Sequence, residues 1–286
     1  MTDSVSSLTG APRTGALIDA WAQAMADVRA VADAAGEAGW RHPSLLPGWS
    51  VADVVGHLSW IERVLLGLTD PPHEPDWSSL PHVRDGLSRI TEVPVDLRRA
   101  WPRAAVLAEF DDAIAQRHAA LRTGPQDPAT PAVNPFGRMV TLEAVLRMRT
   151  FDAWVHSQDL RLALRTPGGT DTAAAAVAGA QIASGLGKVW AKAVGAPAGS
   201  TLRVDVIPPG VALVAAVLRG DDGKGVFIDP PQEPTVWLTL AFDDFVQLGC
   251  GRERPDSPTE QARGRVRIEG DAELGARAVA ALNIAP

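Results

Sequence analysis

The sequence predicts two folded parts in series, a four-helix bundle followed by a small α+β domain. Three observations carry this. Four segments before residue 166 place apolar residues at helical spacing and are joined by loops containing proline and glycine. After Gly169 the pattern changes to short β-type runs interleaved with helices. The length of 286 residues, with 46% apolar residues, is enough for about two ordinary cores.

Residues 14–36 form the first helix, which ends near Gly36 and Gly39. RHPSLLPGWS then reads as a loop leading into a helix start, with Ser50 as the N-cap and Asp53 at the capping-box position. The second helix runs from Val51 to about Leu68, with its apolar stripe on Val51, Val54, Val55, Leu58, Ile61, Leu65 and Leu68. Pro71 and Pro72 close it, and a Pro- and His-containing connection continues to about Pro102. Arg103 to Arg122 is the third helix. Thr123 to Gly137 reads as loop, and Met139 to Leu164 is the fourth helix, stopped by PGG at 167–169. The domain boundary is expected within 166–171, giving domains 1–168 and 169–286. In the second domain Ala173 to Val194 is an Ala-rich helix. Strands are expected at Leu202–Ile207, Val211–Leu218, Thr235–Leu240 and Arg265–Glu269, with helices at Phe242–Leu248 and Asp271–Leu282.

Composition narrows the partners. A net charge of -7 argues against a nucleic acid, whose phosphates need a basic surface. No apolar run is long enough to span a bilayer, and the first residues lack the basic-then-apolar order of a signal peptide. One cysteine, Cys250, excludes internal disulfides and cysteine-rich zinc modules. A cytoplasmic protein, monomer or homodimer, is the simplest expectation. Abundant Ala, Arg, Gly and Pro with no Tyr hint at a GC-rich genome.

The fourth helix carries the most informative pattern. Val145, Met148, Asp152, Val155, Asp159 and Leu162 follow at steps of 3, 4, 3, 4 and 3, the spacing of a buried seam, and two of these six are aspartates. His156 lies four residues after Asp152 and three before Asp159, on the same face. A carboxylate in a dry core is costly unless paired or bound to a metal. Among six histidines, His57 stands out because it borders the buried stripe of the second helix. His57, Asp152 and His156 make a two-histidine, one-carboxylate set, suited to zinc or to iron, nickel or manganese. Asp159 is then expected to orient a ligand or to pair with an arginine such as Arg161. Spacing alone also fits a structural Asp–His pair and a packed, hydrogen-bonded His57.

LPGWSVADVVGHLSW resembles the start of the second helix in the DinB-like, mycothiol-dependent maleylpyruvate isomerase family. Members show Pro-Gly-Trp, a cap residue and a helix carrying His before Leu. RTFDAWVHSQDLRLALRTPGG resembles the family's second signature, an acid, three residues, then His, followed by Asp and an Arg-containing turn. FVQLGCGR, VRIEGD and a helix ending in NIAP are similar to its C-terminal sterol-carrier-like domain. The resemblance implies a DinB-like metal-binding bundle and matches His57, Asp152 and His156 to the metal ligands, with Asp152 where the founding isomerase often has Glu. It further implies a divalent ion, zinc above others, holding mycothiol as its thiolate, and an isomerase or S-transferase acting on a small electrophile. The isomerase substrate is anionic and calls for a cation. Arg252, in the glycine-rich GCGRER, is the candidate for that role, with Arg267 next.

Two other classes stay open: a non-catalytic metal-binding sensor or regulator, and a metal-dependent hydrolase in which Asp159 or Asp53 acts as base. GLGKVW at 185–190 lacks P-loop spacing and reads as helix packing. RGDDGKG at 219–225 reads as a hairpin turn. Trp49, Trp60 and Trp154 are each placed to line a pocket or to fill the core.

Overall fold

The computed structural model describes residues 14–251 and 264–284. The chain separates into two compact units with the break between Gly168 and Gly169.

The N-terminal unit is helical. Helix α1 (Thr14–Trp40) continues past Gly36, whose φ of 61° kinks it. Helices α2 (Val51–Leu65), α3 (Gly86–Arg99), α4 (Arg103–Thr123) and α5 (Leu142–Leu164) follow. Helix α1 packs along α5, and α2 packs along α3 and α4. Trp21, Trp154, Phe110, Leu17, Leu58 and Leu146 fill the core between them. Helix α2 is buried almost all round, because it lies inside the bundle rather than on its surface.

Two features differ from the sequence expectation. Helix α3 lies within the segment read as a connection. Its inward face is Glu92, Pro94, Val95 and Arg98, so it presents no apolar stripe to read, and Pro94 sits inside it. Its start is nonetheless well defined: Asp85 and Ser88 form a reciprocal capping box. Met139–Thr141 is a strand, β2, not the first turn of a helix. It pairs antiparallel with β1 (Pro131–Val133), and Thr141 then caps α5 by accepting from the Ala144 amide at 3.2 Å.

The C-terminal unit holds a five-stranded sheet of β3 (Thr201–Ile207), β4 (Leu213–Arg219), β5 (Gly225–Phe227), β6 (Val236–Ala241) and β7 (Arg267–Gly270). The strand order is β5-β4-β3-β6-β7, with β3 and β6 parallel and the other pairs antiparallel. The 219–225 stretch is the β4–β5 turn, where Gly223 takes a φ of 85° and Asp222 accepts from the Lys224 amide. The expected Ala-rich helix is broken. Helix α6 (Ala173–Ser184) stops at Gly185, and a short α7 (Leu186–Lys188) runs into a π-helical turn, Val189–Ala193. Helices α8 (Phe242–Gly249) and α9 (Ala272–Ala280) complete the unit. Cys250 is buried here. No helix among the described residues is long and apolar enough to cross a membrane.

Candidate metal centre

The loop before α2 aims the first histidine. Ser50 and Asp53 form the reciprocal capping box, with the Ser50 amide donating to Asp53 Oδ2 at 2.7 Å. This satisfies amides at the helix start and sets the direction of α2. Gly48 turns the chain with a φ of 77°, and any Cβ there would overlap the His82 ring. His57 then lies two turns into α2, buried in the bundle.

Asp152 and His156, on α5, face it. His57 Nε2 is 3.8 Å from Asp152 Oδ2, and His156 Nε2 is 3.5 Å from Asp152 Oδ1. One ligand atom from each of the three residues lies within 4.8 Å of the others. The two imidazoles meet edge to face, with ring centres 5.2 Å apart. Trp49 packs 5.0 Å from the His57 ring and 6.4 Å from the His156 ring, and Trp60 lies 6.2 Å from His57. Trp154, by contrast, is core.

Asp152 does not sit on the buried seam its spacing suggested. Of that row Val145, Val155 and Asp159 are buried, but Met148 and Asp152 are half-buried and Leu162 is exposed, while Leu146, Arg149, Thr150, Ala153, Ser157 and Leu160 are buried beside it. The buried face is therefore centred to one side of the row, which runs along its margin. Asp152 stands at its edge, its side chain 26% exposed, between the buried histidines and solvent.

Asp159 packs against the cluster from behind, its Oδ2 3.2 Å from His156 Nδ1. That contact fixes the ring and leaves Nε2 facing Asp152. Arg161 lies 3.9 Å from Asp27.

Two residues that spacing did not single out are joined to the cluster. Arg149 donates from Nη1 to Asp152 Oδ2 at 2.6 Å and from Nε to Glu62 Oε1 at 2.8 Å. The i,i+3 step from Arg149 to Asp152 is a usable signal; the partner 87 residues away is not. A second network comes from α3. Glu92 Oε2 accepts from Trp49 Nε1 at 2.8 Å and lies 3.0 Å from His82 Nε2, while Arg99 pairs with Oε1 at 2.7 Å. The helix absent from the sequence reading thus holds the indole that covers both histidines.

The electrostatics favour a cation between these atoms. Burial holds the His57 imidazole below its usual pKa, so the ring is neutral and its lone pair available near pH 7. Burial acts to raise the Asp152 pKa, but Arg149, His156 and His57 outweigh it and keep the carboxyl well below the usual range. The donor set is two imidazoles, that of His57 neutral, and one ionised carboxylate. A tetrahedral ion with bonds of about 2.0–2.1 Å spaces its ligands about 3.3 Å apart. His57 Nε2 and His156 Nε2 each face one oxygen of Asp152, at 3.8 and 3.5 Å, and one donor atom from each residue lies within 4.8 Å of the others, so small side-chain rotations bring the three round a small divalent ion.

The other histidines are engaged elsewhere. His73 pairs with Asp96 at 2.7 Å, His82 with Glu92, and His118 stacks on Trp21. Arg252 lies outside the described residues. Arg267 is on β7, paired with Glu269 at 3.0 Å.

The N-terminal unit is thus a helical bundle with an internal cluster of two histidines and a carboxylate able to hold a metal ion. Residues 21–161 match the family described as the mycothiol maleylpyruvate isomerase N-terminal domain. The fold is also similar to the crystal structure of a histidine-to-alanine mutant of the mycothiol-dependent maleylpyruvate isomerase. That match has a TM-score of 0.50 at 14% identity and covers 86% of this chain and 97% of the other. A second structure of that isomerase matches over the same shares at 16% identity and a TM-score of 0.46. Comparison with curated proteins gives no significant match.

Proposed function

We propose that this protein is a metal-dependent enzyme that uses a low-molecular-weight thiol, mycothiol, to act on a small electrophile as an isomerase or S-transferase. The observation that carries the reading is the convergence of His57, Asp152 and His156 from two helices of a bundle of this family. These residues would hold the ion, zinc before others because the set is nitrogen-rich and oxygen-poor. When bound, a divalent ion lowers the pKa of a coordinated thiol, so a nucleophile exists at neutral pH without a protein cysteine. This chain's one cysteine is buried in the other unit, which supports a borrowed thiol. Asp152 is the partly exposed member of the set, and Trp49 and Trp60 supply apolar walls beside His57. The enzyme is read as cytoplasmic, where such a thiol stays reduced, and as a monomer or homodimer.

The test combines metal analysis with a conjugation assay. Purified protein should contain about one divalent ion per chain. With mycothiol and an electrophile, it should consume or isomerise the electrophile only when both metal and thiol are present. Metal binding with no thiol-dependent turnover would favour the sensor reading instead; turnover of an ester or amide without thiol would favour the hydrolase. Arg252 is proposed as the cation for an anionic substrate, so Arg252→Ala should raise KM and leave metal content unchanged.

A further inference from the structure

Behind Asp152 lies a line of buried charge for which the ligand set alone gives no reason. Glu62 is fully buried on α2 and Arg149 is 2% exposed on α5. Trp21 Nε1, from α1, donates to Glu62 Oε1 at 3.2 Å, the same oxygen that accepts from Arg149 Nε. Arg117 Nε, from α4, lies 3.6 Å from Glu62 Oε2. Four helices therefore converge on one carboxylate, and its guanidinium partner reaches outward to Asp152 Oδ2. A buried ion pair is not needed for stability, since apolar residues of similar volume do as well or better. Its direct contact with the cluster, through Arg149 and Asp152, points to a role there.

We infer that Arg149, backed by Glu62, is a positioning residue that grips Oδ2 of Asp152 and so fixes the orientation of the carboxylate between the two histidines. This rests on the proposed metal centre. The guanidinium donates to Oδ2 in a short charge-assisted bond, and held in that orientation Oδ2 lies 3.8 Å from His57 Nε2 and Oδ1 3.5 Å from His156 Nε2. A free aspartate at the edge of the core can turn out of that orientation. Held by Arg149, it cannot turn. Arg149 by itself would repel an incoming cation, and Glu62 offsets that charge from the far side.

Zinc affinity and the visible spectrum of the cobalt-substituted protein test this without any turnover. Removing Arg149 alone strands Glu62, so the main variant is Glu62→Met with Arg149→Met, which replaces the pair by apolar side chains. Arg149→Lys is the companion, keeping the charge but losing the two-pronged reach. In the double variant zinc affinity should fall about 10- to 100-fold, as for other groups that orient a ligand. The cobalt spectrum should change in intensity, and Arg149→Lys should be intermediate in both. Asp152→Asn should cost less in the double variant than in the unaltered protein, because the two changes act through one carboxylate. Zinc affinity within about twofold of the unaltered protein, an unchanged cobalt spectrum, or fully additive losses would overturn the inference and leave the metal reading intact. Unaltered protein that takes up no zinc or cobalt would instead remove the metal reading itself.

Discussion

Asp159 shows how a residue can serve the proposed centre without being one of its three proposed ligands. Its contact is with His156 Nδ1, and the cluster geometry is complete without it. Asp159→Asn should therefore weaken metal binding by about 10- to 100-fold rather than abolish it, measured by titration with a competing chelator. His57→Ala should leave the protein without stoichiometric metal, because it removes one of three donors; unchanged metal content would exclude the proposed centre. At this scale the spacing of Asp152, His156 and Asp159 was legible, since one helix places them on one face. Glu62 and Arg149 were not, because what matters about them is a pairing across 87 residues.

Among the elements, α3 and the loop before α2 decide whether the site is held. Gly48 combines a φ of 77° with close approach of His82, whose ring is itself held by Glu92. Gly48→Ala should destabilise the protein by about 1–3 kcal/mol in denaturant unfolding, through a strained backbone and a displaced ring. Arg98, 3% exposed on α3, bonds Asp70 with both terminal nitrogens, and Glu109 of α4 at 2.6 and 2.8 Å. Arg98→Ala leaves two carboxylates with their main cation gone and should cost about 3 kcal/mol or more, read as a lower denaturant midpoint. A loss under about 1 kcal/mol would show that water replaces the guanidinium. Helix α3 escaped the sequence reading because its buried face is ionic: periodicity detects apolar stripes, and Glu92 and Arg98 are not part of one.

For the whole molecule, stability should depend on pH through His57. Burial lowers its folded pKa, so below about pH 6.5 the unfolded chain takes up a proton that the folded chain resists. The unfolded state then binds more protons, and stability falls as pH falls through that range. Asp152 does not contribute there. Its carboxyl is held well below the usual value, so its stabilising effect is present throughout and is lost only at much lower pH. Metal-free protein should therefore have a lower denaturant midpoint at about pH 5 than at about pH 7.5, and His57→Gln should flatten that slope. An equal slope in the variant would assign the dependence to another group.

The sequence by itself determined the fold class, the boundaries of most helices and strands, the capping of α2 by Ser50 and Asp53, and the family resemblance. These are local or periodic properties, expressed in residues a few positions apart. Tertiary structure decided the rest. It broke the Ala-rich helix at Gly185, made a strand of Met139–Thr141, and turned α5 so that Asp152 stands at the edge of the core rather than inside it. It also joined Glu62 to Arg149 and Glu92 to Trp49. The physical reason is common to all of these. A helix's rotation and an ion pair's partner depend on what packs against them from distant parts of the chain, and no spacing within one segment encodes that.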